Sequence, residues 1–270
     1  MPVEALELAL AAAVIHAGWN LLLAGARDSQ AFAAVALLVA IAAGAPFAIV
    51  FWRLDSGAWP FLITGSLLQL LYYLLLAFAY THAELSVVYP VARGLAPVFV
   101  LVGAVVVTGA GTTSQQVAGV LLVAAGIMLV RGVRRGKGVS IAVAIACLIA
   151  AYTVVDKHGV VHASPVAYLE VMTILAGVAY TAVVVSSRGT AVLRAELNWR
   201  SAAAGVGTFA AYACVLGALQ LASAASVAAV RESGVLVATV LAAIFLRERV
   251  TPWRAAGAVL VVAGIVLLAF

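Results

Sequence analysis

Long apolar runs alternate with short polar stretches along the whole chain. Ten of these runs come close to the ~20 residues that a helix needs to cross a bilayer. They are Val3–Leu23, Ala31–Phe51, Pro60–Thr81, Leu85–Val107, Gln116–Val130, Val139–Val155, Val166–Ser186, Ala202–Leu221, Ala225–Leu246 and Ala255–Phe270. The runs are continuous and do not alternate, which is typical of helices and not of barrel strands. The pattern predicts an all-α integral membrane protein with ten transmembrane helices.

Composition agrees with this prediction and excludes a water-soluble protein. Hydrophobic residues make up 66% of the 270 residues, charged residues only 9%, and the mean hydropathy is +1.21. A soluble domain carries about 25% charged residues. The net charge of +5 does not indicate nucleic-acid binding, because the basic residues lie almost entirely in the loops.

Lysine and arginine are concentrated in the loops that follow the odd-numbered segments. Eleven of the fifteen fall there: Arg27, Arg131, Arg134, Arg135, Lys137, Arg188, Arg194, Arg200, Arg247, Arg249 and Arg254. The even-numbered loops hold Arg53 and Lys157, whereas Arg93 and Arg231 lie inside segments. Positive residues favour the cytoplasmic side. We therefore expect a multi-pass protein of the bacterial inner (plasma) membrane with both termini outside.

The two halves of the chain resemble each other when one is shifted by 140 residues. Nine of the 43 positions between residues 59 and 101 are then identical, about twice the number expected by chance for so biased a composition. The identities include Trp59 with Trp199, Tyr72 with Tyr212, and Gly94 with Gly234. Downstream, "AGVLLVAAGIMLV" from Ala118 resembles "AGAVLVVAGIVLL" from Ala256. These matches predict two repeats, residues 1–135 and 136–270.

The number of segments in each repeat fixes their relative orientation. Five is odd, so the second repeat must enter the membrane from the side opposite to the first. Such inverted repeats characterise secondary transporters, which bind substrate near the bilayer midplane where the repeats meet.

Three motifs in this arrangement resemble the EamA-type branch of the drug/metabolite transporter superfamily. They are "HAGWNLLL" at His16–Leu23, "YPVARGLAP" at Tyr89–Pro97 and "LRERVTPWRAAGAVLVVAGI" at Leu246–Ile265. The first repeat departs from the pattern, because "GAGTTSQQ" at Gly109–Gln116 lacks the acidic-basic pair that Glu248 and Arg249 supply in the second. The resemblance implies a transporter of ten helices and, as is usual in that family, an exporter.

Arg93, Arg231 and Glu232 are the candidate charged residues of the site. They lie six to eight residues inside the fourth and ninth segments, where a charge costs about 2.5–3.5 kcal/mol on insertion scales. In one interpretation an arginine binds a carboxylate or phosphate of the substrate and Glu232 is the proton-coupling residue. In the other, the charges only pair across helices.

A proposed helix break accompanies Arg93. Pro90 and Pro97 each remove a backbone donor, and Gly94 lies between them. Lipid cannot satisfy the freed carbonyls, so this face should point towards protein or a wet cavity. We expect the fourth helix to be broken at Pro90, Gly94 and Pro97, with a simple kink as the alternative. The ninth segment has no proline, which raises the question whether it stays whole.

Further candidates for the cavity are His16, Asn20, Tyr72 and Tyr89. His16 and Asn20 share a helix face, although interhelical hydrogen bonding or aromatic packing would also explain these side chains. Other polar residues are predicted to lie at the membrane surface or at helix ends: Glu84, Asp156, Lys157, His158 and Glu170.

The sequence thus predicts a secondary transporter of a small organic metabolite, such as an amino acid or another zwitterion or anion, working by alternating access. An alternative is a flippase for a lipid-linked sugar phosphate. An intramembrane enzyme is disfavoured, because no acidic pair or Cys–His constellation accompanies His16. The predicted partners are the substrate, the lipid bilayer and, through Glu232, protons, with no cofactor, metal or nucleic acid. Either a monomer or a homodimer fits.

Overall fold

A computed structural model describes residues 1–23, 25–83, 85–132, 138–237 and 251–270. Side chains are described for all of these except 80, 85–87, 89, 90 and 131. The described elements are helices, apart from an isolated bridge between Leu54 and Ala163.

The helices follow the predicted segments closely. They are α1 Val3–Leu23, α2 Ser29–Val50, α3 Trp59–His82, α4 Leu85–Thr108, α5 Ser114–Arg131, α6 Val139–Gly159, α7 Pro165–Arg188, α8 Trp199–Leu221, α9 Ala224–Arg231 and α10 Pro252–Ala269. A short linking helix, Ala191–Glu196, joins α7 to α8. Eight of the helices in the described ranges are long and apolar enough to cross a membrane, and α5 is apolar but shorter. The all-helical membrane fold is therefore confirmed.

Polar residues in the loops cap several of these helices. Asp28 accepts hydrogen bonds from the backbone of Gln30 and Ala31 at the start of α2, and Asn198 forms a capping box with Ser201 at the start of α8. Partial burial opposes the charge on Asp28, but the amide hydrogen bonds and Arg188 outweigh it and lower the pKa of Asp28. Capping of this kind satisfies backbone donors that a helix leaves unpaired at its first turn.

The predicted break of the fourth helix is wrong, and the interruption lies instead in the ninth segment. α4 runs unbroken from Leu85 to Thr108, through Pro90, Gly94 and Pro97. In contrast, α9 ends at Arg231 in a turn at residues 232–233, and helix resumes at residues 234–237. Residues 238–250, which complete the predicted ninth segment, lie outside the described ranges. Proline removes one hydrogen bond but is tolerated in membrane helices where neighbouring groups compensate.

The two halves pack with their helices exchanged. α1 of the first half packs on α8 of the second, and α6 of the second half packs on α3 of the first. α2 packs on α8 in the same way that α7 packs on α3. Under the predicted repeat, α1 corresponds to α6, α2 to α7 and α3 to α8, so each of these contacts has a counterpart in the other half.

Glycines bring α5 and α10 into close contact within the chain. A Cβ on Gly126 would lie 2.7 Å from the carbonyl oxygen of Gly257, and one on Gly257 would lie 2.7 Å from that of Gly126. Gly119 and Gly264 form the same reciprocal contact. Small residues permit such close approach of membrane helices. The glycine spacing of these two helices therefore serves intramolecular packing.

Hydrogen bonds between loops define two faces of the bundle. On the odd-loop face, which carries residues 25–28 and 189–198, the amides of Arg27 and Asp28 donate to Glu196 at 2.9 and 2.8 Å. On the terminal face, which carries both chain ends and residues 51–55, 109–113 and 160–164, the Met1 amino group donates to the Leu268 carbonyl at 2.9 Å. Both termini therefore lie at the same end of the bundle.

Candidate functional site

A charged cluster joins α1, α4 and the end of α9 in the middle of the bundle. Arg93 Nη1 donates to Glu232 Oε1 at 3.0 Å, and Arg231 Nη2 donates to the same oxygen at 3.3 Å. These three side chains are at most 9% exposed. One carboxylate thus balances two guanidinium groups, which leaves the cluster with an excess positive charge.

His16 completes the cluster from α1. Arg93 Nη2 lies 2.8 Å from His16 Nε2. Because a guanidinium group can only donate, His16 Nε2 accepts this hydrogen bond and the imidazole is neutral, with its proton on Nδ1. The His16 ring meets Trp19 edge to face, with 4.8 Å between the ring centroids.

A cavity of about 140 Å³ lies beside the charged cluster. Arg93, Arg231 and His16 contribute to its inner end. Its aromatic walls come from six different helices: Trp19, Phe32, Tyr72, Tyr73, Tyr152, Tyr180, Phe209 and Tyr212. The tyrosine rings form a connected series, with centroid separations of 5.5 to 6.3 Å between neighbours.

The cavity reaches one face of the bundle. Leu23, Ser29 and Ala77 line it at the ends of α1, α2 and α3 on the odd-loop face. Towards the terminal face its described lining stops at Leu169 and Val215, about one turn and about two turns short of the ends of α7 and α8.

Polar contacts close the terminal face. Arg53 Nη2 donates to the Ala163 carbonyl at 2.8 Å, and the amide of Asp55 donates to the His162 carbonyl at 2.9 Å. Lys157 Nζ donates to the Leu219 carbonyl at 2.5 Å. These contacts tie the α2–α3 and α6–α7 loops to each other and the end of α6 to the end of α8.

Comparison with known proteins agrees with this architecture. A family model described as the EamA-like transporter family matches residues 5–132 and again residues 136–270. The chain belongs to the EamA-like transporter family. A solved crystal structure of a protein that is 19% identical shares the fold, with a TM-score of 0.80 over 99% of this chain and 96% of the other. No curated protein matches the chain by sequence.

Family membership makes this chain an integral membrane transporter, as the sequence motifs implied. The structure brings Arg93, Arg231, Glu232 and His16 together and places Tyr72 in the cavity wall. Asn20 does not line the cavity, because its amide donates to the His16 carbonyl in its own helix at 2.7 Å. The side chains of Tyr89 and Pro90 lie outside the described part of the structure.

Asp156 of this EamA-like transporter is buried, which corrects the prediction of a surface position. It accepts hydrogen bonds from Tyr168 Oη at 3.1 Å and Tyr212 Oη at 2.5 Å, and its exposure is 0%. The surface prediction is wrong because α6 continues to Gly159, so that Asp156 lies inside the helix and not at its end. The repeat register offered a signal, since a shift of 140 residues aligns Asp156 with His16.

Glu170 is also buried, contrary to the expected interfacial position. It is 4% exposed, and neither carboxylate oxygen has a hydrogen-bond partner among the described residues. The sequence signal for burial is its position six residues into α7, more than one turn from the helix end. The described residues contain no group of three or more His, Cys, Asp or Glu side chains that could hold a metal ion.

Proposed function

We propose that this protein is a secondary transporter that moves a small zwitterionic or anionic organic metabolite by alternating access. The observation that carries the proposal is the central cavity, which combines a positively charged inner end with aromatic walls and reaches only the odd-loop face in the described structure. In a family of transporters, a central cavity closed at one face is what an alternating-access carrier requires in one of its end states.

The charge of the cavity supports an anionic group on the substrate. Arg93 and Arg231 share one carboxylate, Glu232. Arg231 Nε and Trp19 Nε1 are buried donors without a partner among the described atoms, and Gln69 Oε1 is a buried acceptor in the same situation. All three side chains line the cavity. Buried polar atoms are costly when unpaired, and a substrate with both a carboxylate and an ammonium group would pair donors and acceptor together.

The size of the cavity supports a small substrate. A cavity of about 150 Å³ in another protein accommodates benzene, so 140 Å³ suits a molecule of amino-acid size without large rearrangement. A lipid-linked sugar phosphate would require a much larger or laterally open path.

Exchange of the two repeats would provide the second end state. The counterpart contacts of α1 with α8 and α6 with α3, and the reciprocal glycine contacts of α5 with α10, support two inverted five-helix repeats related by an approximate two-fold axis. If the halves exchange conformations, the odd-loop face closes and the terminal face opens. Ten membrane crossings also agree with termini at one face.

The distribution of positive charge supports a cytoplasmic odd-loop face. Loading from the cytoplasm would then make the protein an exporter in the inner membrane. A reporter fused to the C-terminus should therefore be active only outside the cytoplasm, and activity in the cytoplasm would contradict this orientation.

A melting-temperature screen of the purified protein tests the substrate class. We expect an L-amino acid or a small organic anion to raise the melting temperature by mass action, whereas amines without an acidic group should not. Arg231→Gln should remove the shift, because it removes a positive charge from the cavity. A shift produced by sugar phosphates on lipid carriers, and by no member of the small-molecule panel, would favour the flippase instead.

A further inference from the structure

Glu170 carries a buried carboxylate that the charged cluster does not use. Both of its oxygens are buried and have no hydrogen-bond partner among the described residues, and no salt bridge in the described ranges includes it. The side chain is 4% exposed. It belongs to α7, on the part of the helix nearest the terminal face.

Gly44 and Phe209 pack directly beside this carboxylate. Gly44 of α2 faces it, and a Cβ on Gly44 would collide with Glu170 Oε2 and with the ring of Phe209 from α8. The missing side chain of Gly44 therefore makes the room that the carboxylate occupies.

No charged residue of the packed helices is placed to neutralise Glu170. α2 and α3 contain no Asp, Glu, Lys or Arg, and the only one in α8 is Arg200, in the first turn at the opposite face. The charged residues of the linking helix and the end of α7, Arg188, Arg194 and Glu196, also lie at the odd-loop face. The other titratable groups on these helices are Tyr72, Tyr73, Tyr80 and His82 on α3, Tyr168 and Tyr180 on α7, and Tyr212 and Cys214 on α8.

Two of these tyrosines already have a different acidic partner. Tyr168 and Tyr212 donate to Asp156, so Asp156 has the donors that an ionised carboxylate needs. Glu170 has no such donors among the described residues. An ionised carboxylate that leaves water without a partner is strongly destabilised, and the group takes up a proton instead.

We propose that Glu170 is a proton-binding site that is protonated in this conformation and that couples transport to proton movement. Proton binding is a property of Glu170 alone, whereas the coupling rests on the proposed transport function. Glu170 then takes the proton-coupling role that the sequence suggested for Glu232. Glu232 balances Arg93 and Arg231, so a proton on it would leave two guanidinium charges unbalanced in the membrane.

The position of Glu170 fits a site that changes access. Its neighbours Leu169 and Thr173 on α7 and Phe209 on α8 line the cavity, so the carboxyl group lies directly behind the cavity wall. When the terminal face opens, water would reach Glu170 from that side. The O–H bond of the carboxylic acid then breaks, the proton passes to water and the carboxylate remains; the reverse step restores the acid before the face closes.

Infrared spectroscopy of the full chain in lipid vesicles tests the proton site without any substrate. We expect the wild type to show the carbonyl band of a protonated carboxyl group at neutral pH, and Glu170→Gln to lose it. Glutamine has the shape of a protonated glutamate, so this variant should fold. Glu4→Gln, at an exposed carboxylate in the first turn of α1, is the matched control and should keep the band. Asp156→Asn shows how much of the band, if any, comes from Asp156, another buried carboxyl group. Equal bands in the wild type and Glu170→Gln would overturn the proposal.

A flux measurement tests the coupling. The probe is the labelled L-amino acid that gives the largest shift in the melting screen, in vesicles with an imposed proton gradient. Glu170→Gln should lose gradient-driven accumulation but retain one-for-one exchange of labelled for unlabelled amino acid. Accumulation at the wild-type rate would refute the coupling. If no amino acid or anion binds, the proposed function fails, and the infrared result still decides whether Glu170 binds a proton.

Discussion

α4 and α9 occupy corresponding positions in the two predicted repeats, yet the helix with prolines is continuous and the helix without them is interrupted. α4 contains Pro90 and Pro97 and is continuous over 24 residues. α9 contains no proline and stops at Arg231 after eight. Proline content therefore does not decide where a membrane helix is interrupted in this protein.

The interruption of α9 coincides with tight packing against α1. A Cβ on Gly234, just beyond α9, would lie 2.8 Å from the carbonyl oxygen of Ala13, so the two backbones nearly touch there. The chain tightens in this region, and the amides of Ser233, Val235 and Leu236 donate to carbonyls three residues earlier. Such three-residue hydrogen bonds are those of a 3₁₀ turn.

The corresponding glycine of α4, Gly94, faces a flexible side chain and not a backbone carbonyl. A Cβ on Gly94 would meet the side chain of Met128, 2.9 Å from its Cγ. Methionine is flexible and fills irregular space, so α4 can stay regular beside it. A backbone carbonyl cannot move in this way, and the same glycine in the repeat has a different structural consequence in each half.

The largest expected effect is that of Glu232→Ala, at the turn that ends α9. Removal of this carboxylate leaves Arg93 and Arg231 buried without their shared partner, which should cost about 3–5 kcal/mol. The yield and melting temperature of purified protein measure the loss. Glu4→Ala, at an exposed position, is the control, and equal stability of the two variants would contradict the role assigned to Glu232.

Arg93→Ala, on α4, should have a smaller effect on stability and a complete effect on transport. Glu232 keeps Arg231 as a partner at 3.3 Å, so the expected cost is about 1.5–3 kcal/mol, the range for a hydrogen bond to a charged group. Folded protein should therefore remain in the membrane while flux of the screened ligand is lost. Normal flux in this variant would remove Arg93 from the mechanism.

Gly234→Ala and Gly94→Ala compare the two repeat positions directly. Gly234→Ala should lower stability by about 1–3 kcal/mol because the new methyl group meets backbone. Gly94→Ala should cost less, since the Met128 side chain can move aside. Melting temperatures of the two variants give the order, and the reverse order would show that the tight approach to Ala13 does not shape α9.

Pro97→Ala should have the smallest effect. α4 is already helical through Pro97, and alanine restores a backbone donor at no steric cost, so stability should stay within about 1 kcal/mol of the wild type or rise. A larger loss would mean that Pro97 has a packing role that the helix alone does not reveal.

The sequence predicted the helices well but misplaced two carboxylates. Continuous apolar runs set the ends of α1 correctly and those of the other predicted helices, apart from the ninth, to within a few residues. Asp156 and Glu170 each lie near the end of an apolar run, where the sequence pattern predicts exposure to water. Their burial depends on which helices pack against α6 and α7, and that information is not local.

By itself, the sequence determined that the chain is a helical membrane protein of the EamA-like transporter family, because hydropathy and family motifs are properties of local stretches. It also singled out Arg93, Arg231 and Glu232, because charge at membrane depth is costly wherever the helix packs. Only the tertiary structure decided that these three form one cluster, that α9 ends where α4 continues, and that Glu170 lies against Gly44 without a counter-charge among the described residues. Each of these depends on the distance between atoms far apart in the chain.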